Sequence, residues 1–455
     1  MMEHLKQKSV AAVTLGCKLN YAESSVILDK LVLEGWKLSS IEEGADLIII
    51  HTCAVTGKAE RRSRQQTRSI IRSNPASRVA VIGCCSQLDP ERIAEIDGVS
   101  IVLGTQDKFC IPYYTDQPAL DGDAPFVKVS SVRDACEACP ANSLLTEIEK
   151  GRTRAFLKIQ DGCSYGCAYC TIPRIRGRSR SVPLDVVLDS ARQIVQAGYR
   201  EIVLTGVNIA DYHDGNRGFS ALLKRLEEVD ISRIRIGSVE PDLLDDDLLA
   251  TVAASKKIMP HFHLPLQSGS DQVLKAMGRH YDTGTYRSRL MKAVSAISGC
   301  GIGADVMTGY PGESERDFED MYRFLEDLPV AYLHVFTCSV RSGTLLFDQV
   351  ARNQRKRVPR AEAAVRAARL ARLAEEKERS FASTFIGKEL RVLFEEGVDN
   401  SDGSMRWSGH SGNYLRVGVD VGGSVSRGSL RGEEHTVLVE GPGDGLHLQG
   451  RLLFS

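Results

Sequence analysis

The stretch Ala155-Phe-Leu-Lys-Ile159-Gln-Asp-Gly-Cys163-Ser-Tyr-Gly-Cys167-Ala-Tyr-Cys170 decides how this chain is read. Its opening apolar run predicts a strand, and a glycine-punctuated loop carrying three cysteines follows at once. Five similar runs lie between there and about residue 350: Glu201–Thr205, Arg233–Gly237, His261–Leu266, Gly303–Met307 and Tyr332–Phe336. Helix-compatible stretches such as Leu184–Ala197 and Ser314–Leu328 separate them. Six βα units are too few to close an eight-stranded barrel, so an open partial (β/α)6 TIM-like barrel is expected. In such folds chemistry gathers at the carboxyl ends of the strands.

Three thiolates on one loop can ligate three irons of a cubane and leave the fourth iron open to a small molecule. A closed zinc site would need a fourth Cys or His nearby, which this loop does not supply. Tyr169, just before the last cysteine, can pack on a purine ring.

Working back toward the N-terminus, residues 8–112 repeat a pattern of apolar run, turn and helical stretch. The runs Val10–Leu15, Leu47–Ile50 and Val79–Ile82 are short and rich in Val and Ile, which predicts a doubly wound parallel α/β sheet. Cys17, Cys53 and Cys84 each follow the carboxyl end of one run, about one βα unit apart. Successive strand ends of such a sheet face one edge, so the three thiols can converge on a second cluster with an open iron. Residues 113–150, with Pro112, Pro118, Asp121-Gly122, Pro125 and Pro140 in or beside them, read as a linker.

Toward the C-terminus an Arg/Ala-rich helix over Arg360–Arg379 ends the segment 151–380. From 387 to 455 the text alternates (Leu390–Phe394, Tyr414–Val419, His435–Val439, Leu446–Leu453), with turns at Asp402-Gly403 and Asp444-Gly445. A small antiparallel β-barrel is expected there.

Composition bounds the function classes. The chain has 455 residues, 42% apolar and 26% charged, as soluble globular proteins do. Lys+Arg 58 against Asp+Glu 59 leaves a net charge of −1, so nucleic-acid binding has to rest on local patches. One such bias lies between Ala351 and Arg379, with ten Lys/Arg against four Asp/Glu. No apolar run approaches the ~18–20 residues of a membrane helix and no signal peptide is legible in Met1–Lys8, so a cytoplasmic protein without a membrane partner is expected. Its 12 cysteines then read as ligands or thiols, not disulfides. Cys85, Cys110, Cys300 and Cys338 read as buried small hydrophobes, and Cys136 and Cys139 have no assigned role.

The Cys163–Cys170 loop carries the pattern of the radical S-adenosylmethionine (SAM) superfamily. Together with Thr14-Leu-Gly-Cys17-Lys-Leu-Asn20, His51-Thr-Cys53-Ala-Val-Thr56 and Gly83-Cys84, it makes nearly the whole chain resemble the radical SAM methylthiotransferases. The resemblance implies an N-terminal cluster domain, a radical SAM barrel and a C-terminal TRAM-like RNA-binding domain. It implies two [4Fe-4S] clusters, each on three cysteines: Cys163, Cys167 and Cys170 for the radical, and Cys17, Cys53 and Cys84 for the sulfur. Such enzymes replace a C–H bond by C–SCH3 with two SAM molecules, one the methyl donor and one the radical source. An aromatic C–H has no acidic proton and no leaving group, so acid–base or nucleophilic catalysis has nothing to act on.

Within that family the run Cys53-Ala-Val-Thr-Gly-Lys-Ala-Glu-Arg-Arg-Ser-Arg-Gln-Gln is most similar to the branch acting on N6-threonylcarbamoyladenosine at tRNA position 37. Phe156-Leu-Lys-Ile-Gln-Asp161 and Ile172-Pro through Arg180 point the same way. Isopentenyladenosine tRNA and a ribosomal-protein aspartate are the family's other substrates, and a non-catalytic iron–sulfur RNA-binding scaffold is the alternative of another class. Arg174, Arg176, Arg178 and Arg180 beside the loop are expected at the substrate carboxylate or the RNA. Arg61, Arg64, Arg68 and Arg72 share one helix face and are expected near tRNA backbone. Gly409, Asn413 and Tyr414 are further candidate RNA contacts. By the strand-end rule and the resemblance, Thr205, Gly206, Ser238, Glu240, Gln267 and Asp305 are expected at SAM, with Asn208, Ser268 and Gly309 beside them. The implied partners are the tRNA anticodon stem-loop, an electron donor such as flavodoxin or ferredoxin, and a sulfur donor. A cobalamin-dependent methyltransferase would need a D-x-H-x-x-G loop, and the chain has none.

Overall fold

The strand Leu47–Thr52 is buried at every position, and its Leu-Ile-Ile-Ile run has apolar cover on both faces. It sits inside a six-stranded parallel sheet whose order is Lys37–Leu38, Ser9–Thr14, Leu47–Thr52, Arg78–Gly83, Ile101–Leu103 and Phe126–Lys128. This computed structural model describes residues 7–115, 124–133, 135, 138–142, 152–401, 403–422, 430–443 and 448–453. The strand order reverses between Ser9–Thr14 and Leu47–Thr52, which makes their carboxyl ends the switch point where doubly wound sheets bind ligands. Helix Lys18–Leu33 covers one face through Ile27, Leu28 and Leu31; Ile70 of helix Gly57–Ser73 packs on the other.

The second core is an arc of six parallel strands. Arg154–Lys158, Glu201–Thr205 and Arg233–Arg235 form one run; His261–His263, Gly301–Thr308 and Tyr332–Thr337 form the next. Parallel bridges Ile234–Ile258 and Ser238–His263 join the two. The arc stays open, as six units require. Helices from Leu184–Gln196 to Glu315–Asp327 bury their apolar faces outside it, and Arg360–Ser383 packs along the last strand. Helix Lys18–Leu33 lies against Arg154–Lys158, so the N-terminal sheet docks at the first-strand edge of the arc.

The third unit is a closed barrel in the order Glu389–Asp399, Met405–Ser411, Arg416–Val421, Leu448–Leu452, Glu434–Pro442. Its pairings are antiparallel except Arg416–Val421 with Leu448–Leu452, which is parallel, so the antiparallel expectation needs that correction. Its core (Val392, Phe394, Trp407, Val417, Val437) is shared with Ala382 of helix Arg360–Ser383 and with Phe385 just after it.

The stretch expected as a linker is not merely one. Phe126–Lys128 completes the N-terminal sheet, and Ala141–Asn142 adds an antiparallel edge to Arg154–Lys158. Such short strands carry no pattern of their own and are recruited by the neighbour they pair with. Cys136, Asp402, Asp444-Gly445 and the Leu446 start of the last strand lie outside the described residues. Among the described residues no helix is long and apolar enough to cross a membrane.

Candidate active site

The three-cysteine loop runs between strand Gln160–Asp161 and the short helix Ile172–Arg176. Glycine is required at its entrance: Gly162 has φ +70°, and a Cβ there would stand 2.0 Å from the Arg178 carbonyl oxygen. The loop is tied down by Cys163 N–H to Gly177 O (3.1 Å), Ala168 N–H to Met277 O (2.8 Å) and Leu346 N–H to Ala168 O (2.8 Å). Burial pushes the Cys163 thiol up to about 11 and Cys170 to about 12, and their neighbouring sulfurs add to the effect. Cys167 is raised by burial too, opposed by Arg279, whose Nη1 donates to its Sγ at 3.2 Å. Three thiols raised by burial need a cationic core to be thiolates together, and an iron cluster meets that need. Tyr169 packs half-buried against the cluster of Ala168, Met277 and Tyr310.

The second trio assembles at the switch point. Cys17 caps helix Lys18–Leu33, Cys53 follows Leu47–Thr52, and Cys84 opens helix Cys84–Leu88 after Arg78–Gly83. Gly16 (φ +103°) lies so close to Cys53 that a Cβ would stand 2.9 Å from its Sγ. Asn20 Nδ2 clamps the two strand ends, donating to Leu15 O (2.8 Å) and Thr52 O (3.1 Å). Burial, then Cys84, pushes Cys53 up to about 12; Cys84 is raised by burial against the pull of Arg176. Two buried thiols, Cys53 and Cys84, with the exposed Cys17 beside them make a donor set that a multivalent metal core fits. Among the other cysteines, Cys85 and Cys300 are buried as expected, but Cys110 is exposed and Cys338 and Cys139 are intermediate.

Between the trios lies a buried ionic hub that sequence reading missed. Glu23 accepts from Lys108 (2.6 Å), Lys158 (2.7 Å) and Arg176 (3.1 Å), while Asp161 accepts from Lys158 (2.8 Å), Arg176 (3.0 Å) and Arg180 (3.5 Å). Burial alone would raise the Glu23 carboxyl; Arg176, Lys108 and Lys158 overcome it and hold it well below the usual range. Four cations thus face two carboxylates beneath Cys84, a field that favours an anionic centre above them. Arg176 and Arg180, expected at the substrate, are corrected here: both are buried, and both serve the junction of the N-terminal sheet and the arc. Arg174 and Arg178 are exposed, Arg174 donating to Ser342 O at 2.7 Å. Arg61 and Arg68 are exposed, whereas Arg64 pairs with Glu60, which also holds Arg341.

A cavity of about 470 Å³ opens where the three units meet. Gly16, Cys17 and Lys18 line it from the N-terminal sheet, and Tyr414 from the closed barrel. The arc supplies most of the rest, including Thr205, Gly206, Ser238 and Asp305 from the expected set. Gly206 lies against Gln160, whose Oε1 accepts from Val207 N–H and Asn208 N–H (both 2.9 Å). Beside this turn the Asn208 side-chain amide is buried, and neither its Nδ2 nor its Oδ1 has a partner among the described residues, an orphan that a polar ligand would satisfy. Glu240 and Gln267 do not line the cavity. Glu240 is held by Arg279 and raised by burial; Gln267 sits at φ +67°, its backbone pairing with Asp305 O and Met307 N–H (both 2.8 Å). Gly409 and Asn413 are not surface contacts: a Cβ at Gly409 would meet Leu393 O at 2.0 Å, and Asn413 is buried against Gly299 O. The residues missed here are Lys18, His263 and His334. The strand-end rule reaches His263, the last residue of His261–His263, but not His334, which lies inside Tyr332–Thr337.

Comparison with known proteins agrees with this anatomy. Residues 157–325 match the radical SAM superfamily, and residues 9–104 match a family described as uncharacterized protein family UPF0004. The solved radical SAM methyltransferase TsrM of Kitasatospora setae, with cobalamin and a [4Fe-4S] cluster bound, superposes with a TM-score of 0.56 over 76% of this chain and 78% of that one; at 14% identity the likeness is one of fold. This is therefore a radical SAM protein. The chain is 35% identical to the threonylcarbamoyladenosine tRNA methylthiotransferase MtaB of Bacillus subtilis over 90% of each, and 30% identical to a tRNA-2-methylthio-N(6)-dimethylallyladenosine synthase of Jannaschia over 86% of this chain and 84% of that one. It belongs to the radical SAM methylthiotransferase family.

Proposed function

We propose that the chain methylthiolates N6-threonylcarbamoyladenosine at position 37 of tRNA, in the cytoplasm, with Cys163, Cys167 and Cys170 holding one [4Fe-4S] cluster and Cys17, Cys53 and Cys84 another. The observation that carries this reading is the shared cavity: Cys17 of one trio lines it together with the strand ends of the arc that bears the other. When bound, the clusters and SAM would supply one-electron C–H activation and sulfur, which no side chain here supplies. The chain's own residues bind, orient and exclude. The Gln160 clamp fixes the Gly206–Asn208 turn, and Thr205, Gly206, Ser238 and Asp305 are the SAM-side candidates. Glu240, Gln267 and Tyr169 support that site from outside the cavity.

Lys18 is the candidate partner of the threonyl carboxylate. Its Nζ lies 5.7 Å from the Tyr414 ring centroid, and it has no carboxylate partner among the described residues. Arg61, Arg68, Arg174 and Arg178, being exposed, remain candidates for tRNA backbone, with residues 387–455 as the TRAM-like RNA-binding domain and 8–112 and 151–380 as cluster and radical domains. A flavodoxin or ferredoxin and a sulfur donor complete the cycle. Because the Bacillus subtilis MtaB matches over more of this chain and at higher identity than the dimethylallyladenosine synthase, the threonylcarbamoyl substrate is preferred.

Two variants and one profile test it. Cys163→Ala is expected to abolish reductive cleavage of SAM, and Cys17→Ala to leave cleavage measurable while stopping sulfur insertion. Full product from Cys17→Ala would defeat the two-cluster reading. Mass spectrometry of tRNA nucleosides from cells lacking the protein should show loss of the threonylcarbamoyl-type thiomethyl product; loss of the isopentenyl-type product alone would defeat the substrate assignment.

A further inference from the structure

Two side chains on the cavity wall, His263 and His334, have no part in this, and both meet Asp305, one of the SAM-side candidates. His263, Asp305 and His334 project from three adjacent parallel strands. The register places them on one face: Asp305 pairs directly with His334, and His263 pairs with Gly303, two residues before Asp305. Asp305 Oδ1 stands 3.0 Å from His263 Nε2 and 3.1 Å from His334 Nδ1, and all three donor atoms lie within 4.8 Å of one another. Two imidazole nitrogens and one carboxylate oxygen converging on one point is a first-row divalent metal set. Both are hydrogen-bond distances, and they also bring the three donor atoms close enough to share one ion.

The surroundings complete the arrangement. Ser238 Oγ lies 2.7 Å from His263 Nδ1, the outer-shell bond that fixes a ligating ring's orientation and tautomer. In the tautomer whose Nδ1–H donates to Ser238 Oγ, Nε2 presents its lone pair to an ion; in the other, Nε2–H donates to Asp305 Oδ1. The His263 and His334 rings pack with centroids 5.5 Å apart beside Tyr332, which holds both in place. Side-chain exposure rises from 13% at His263 through 25% at Asp305 to 54% at His334, so the point of convergence opens on the cavity and an ion can enter.

We infer that His263, Asp305 and His334 hold one divalent first-row metal ion, distinct from the cysteine-held clusters, with its remaining positions open to the cavity. Such an ion binds oxygen donors as a Lewis acid. In the reading above, an oxygen of the carbamoyl-threonyl group would complete its shell; that second role rests on the proposed substrate, while the metal site does not.

Mn2+ is the probe, because it is a hard ion that leaves thiols alone and its free-ion signal disappears on binding. The full-length anaerobic protein, with both clusters in their diamagnetic oxidised state and treated with a mild chelator, is titrated with Mn2+ and followed by electron paramagnetic resonance without tRNA. One ion per chain is expected to bind, with electron spin-echo modulation from two imidazole nitrogens. His334→Ala, at an exposed position, and Asp305→Asn are each expected to weaken binding at least tenfold while cluster iron is unchanged, and His334→Ala to remove one nitrogen coupling. Absence of a stoichiometric site in the wild type, or equal binding and an unaltered nitrogen pattern in His334→Ala, would overturn the inference. Neither result bears on the nucleoside profile that tests the substrate.

Discussion

At the scale of single residues, Glu23 and Asp161 decide which arginine beside the loop folds inward, for both accept from Arg176. Cys163, Cys167 and Cys170 announce themselves because all three sit within one short loop. Arg176 looks the same in the text as Arg174 and Arg178, yet it is buried between Glu23 and Asp161 while they are exposed. What separates them is partners far away in sequence, Glu23 on helix Lys18–Leu33 and Lys108 after Ile101–Leu103, which no local window contains. The hub therefore gives a prediction that local reading would not have made. Removing Glu23 leaves Lys108, Lys158 and Arg176 facing one another without water, and breaking a buried ion pair by deleting one partner costs about 3–5 kcal/mol. Glu23→Ala is expected to lower the denaturant midpoint sharply, whereas Arg174→Ala, at an exposed position, should leave it nearly unmoved, a change in stability of no more than ~0.5 kcal/mol. Equal midpoints for the two variants would show that the hub does not hold the N-terminal sheet to the arc.

At the scale of elements, strands with a Val/Ile run of their own were readable and strands that borrow their pairing were not. Leu47–Thr52 and Glu201–Thr205 are buried at every position and declare it in sequence. Met405–Ser411, reading Met-Arg-Trp-Ser-Gly-His-Ser, has no such run and exists because Glu389–Asp399 and Arg416–Val421 pair with it on either side. The docking of the closed barrel was equally invisible, because it uses charges on strands of the arc. Arg235 donates to Ser411 O (3.1 Å) and Gly412 O (2.9 Å) while Glu201 holds both Arg235 (2.8 Å) and Arg233 (2.7 Å). Burial would raise the Glu201 carboxyl, but Arg235 and Arg233 prevail and bring it down to about 2. A carboxyl whose folded pKa lies below its unfolded value near 4.5 stabilises the fold above that value and loses the contribution as pH falls toward 2. Glu201→Gln is thus expected to melt well below the wild type at pH 7, with the gap narrowing between pH 4.5 and pH 3. A gap independent of pH would exclude an ionised Glu201 as the anchor.

At the scale of the whole molecule the cavity is a property of none of the three units alone. The doubly wound sheet contributes Cys17 and Lys18, the arc its strand ends, and the closed barrel Tyr414, held at φ +74° with its ring 5.0 Å from the Arg235 guanidinium. Lys18, Arg154 and Arg235 together draw the Tyr414 hydroxyl below its ordinary pKa despite burial, which marks this end of the cavity as a positive field. Sequence reading placed the carboxylate-binding cations beside the three-cysteine loop because proximity in the chain was its only measure. Folding spends Arg176 and Arg180 on the hub and brings Lys18 to the cavity instead. If Lys18 meets the threonyl carboxylate, removing its charge forfeits a charge-assisted hydrogen bond of about 1.5–3 kcal/mol, roughly a 10- to 150-fold change in affinity. Lys18→Ala should therefore raise KM for tRNA carrying threonylcarbamoyladenosine by that factor. KM for SAM, which the carboxylate does not touch, should hardly move, and Lys18→Arg should recover much of the loss. The control that gives the test its edge is tRNA with unmodified adenosine at position 37, which has no carboxylate. Wild type and Lys18→Ala should bind it alike, and an equal loss on both tRNAs would make Lys18 a phosphate contact and leave the carboxylate without its reader.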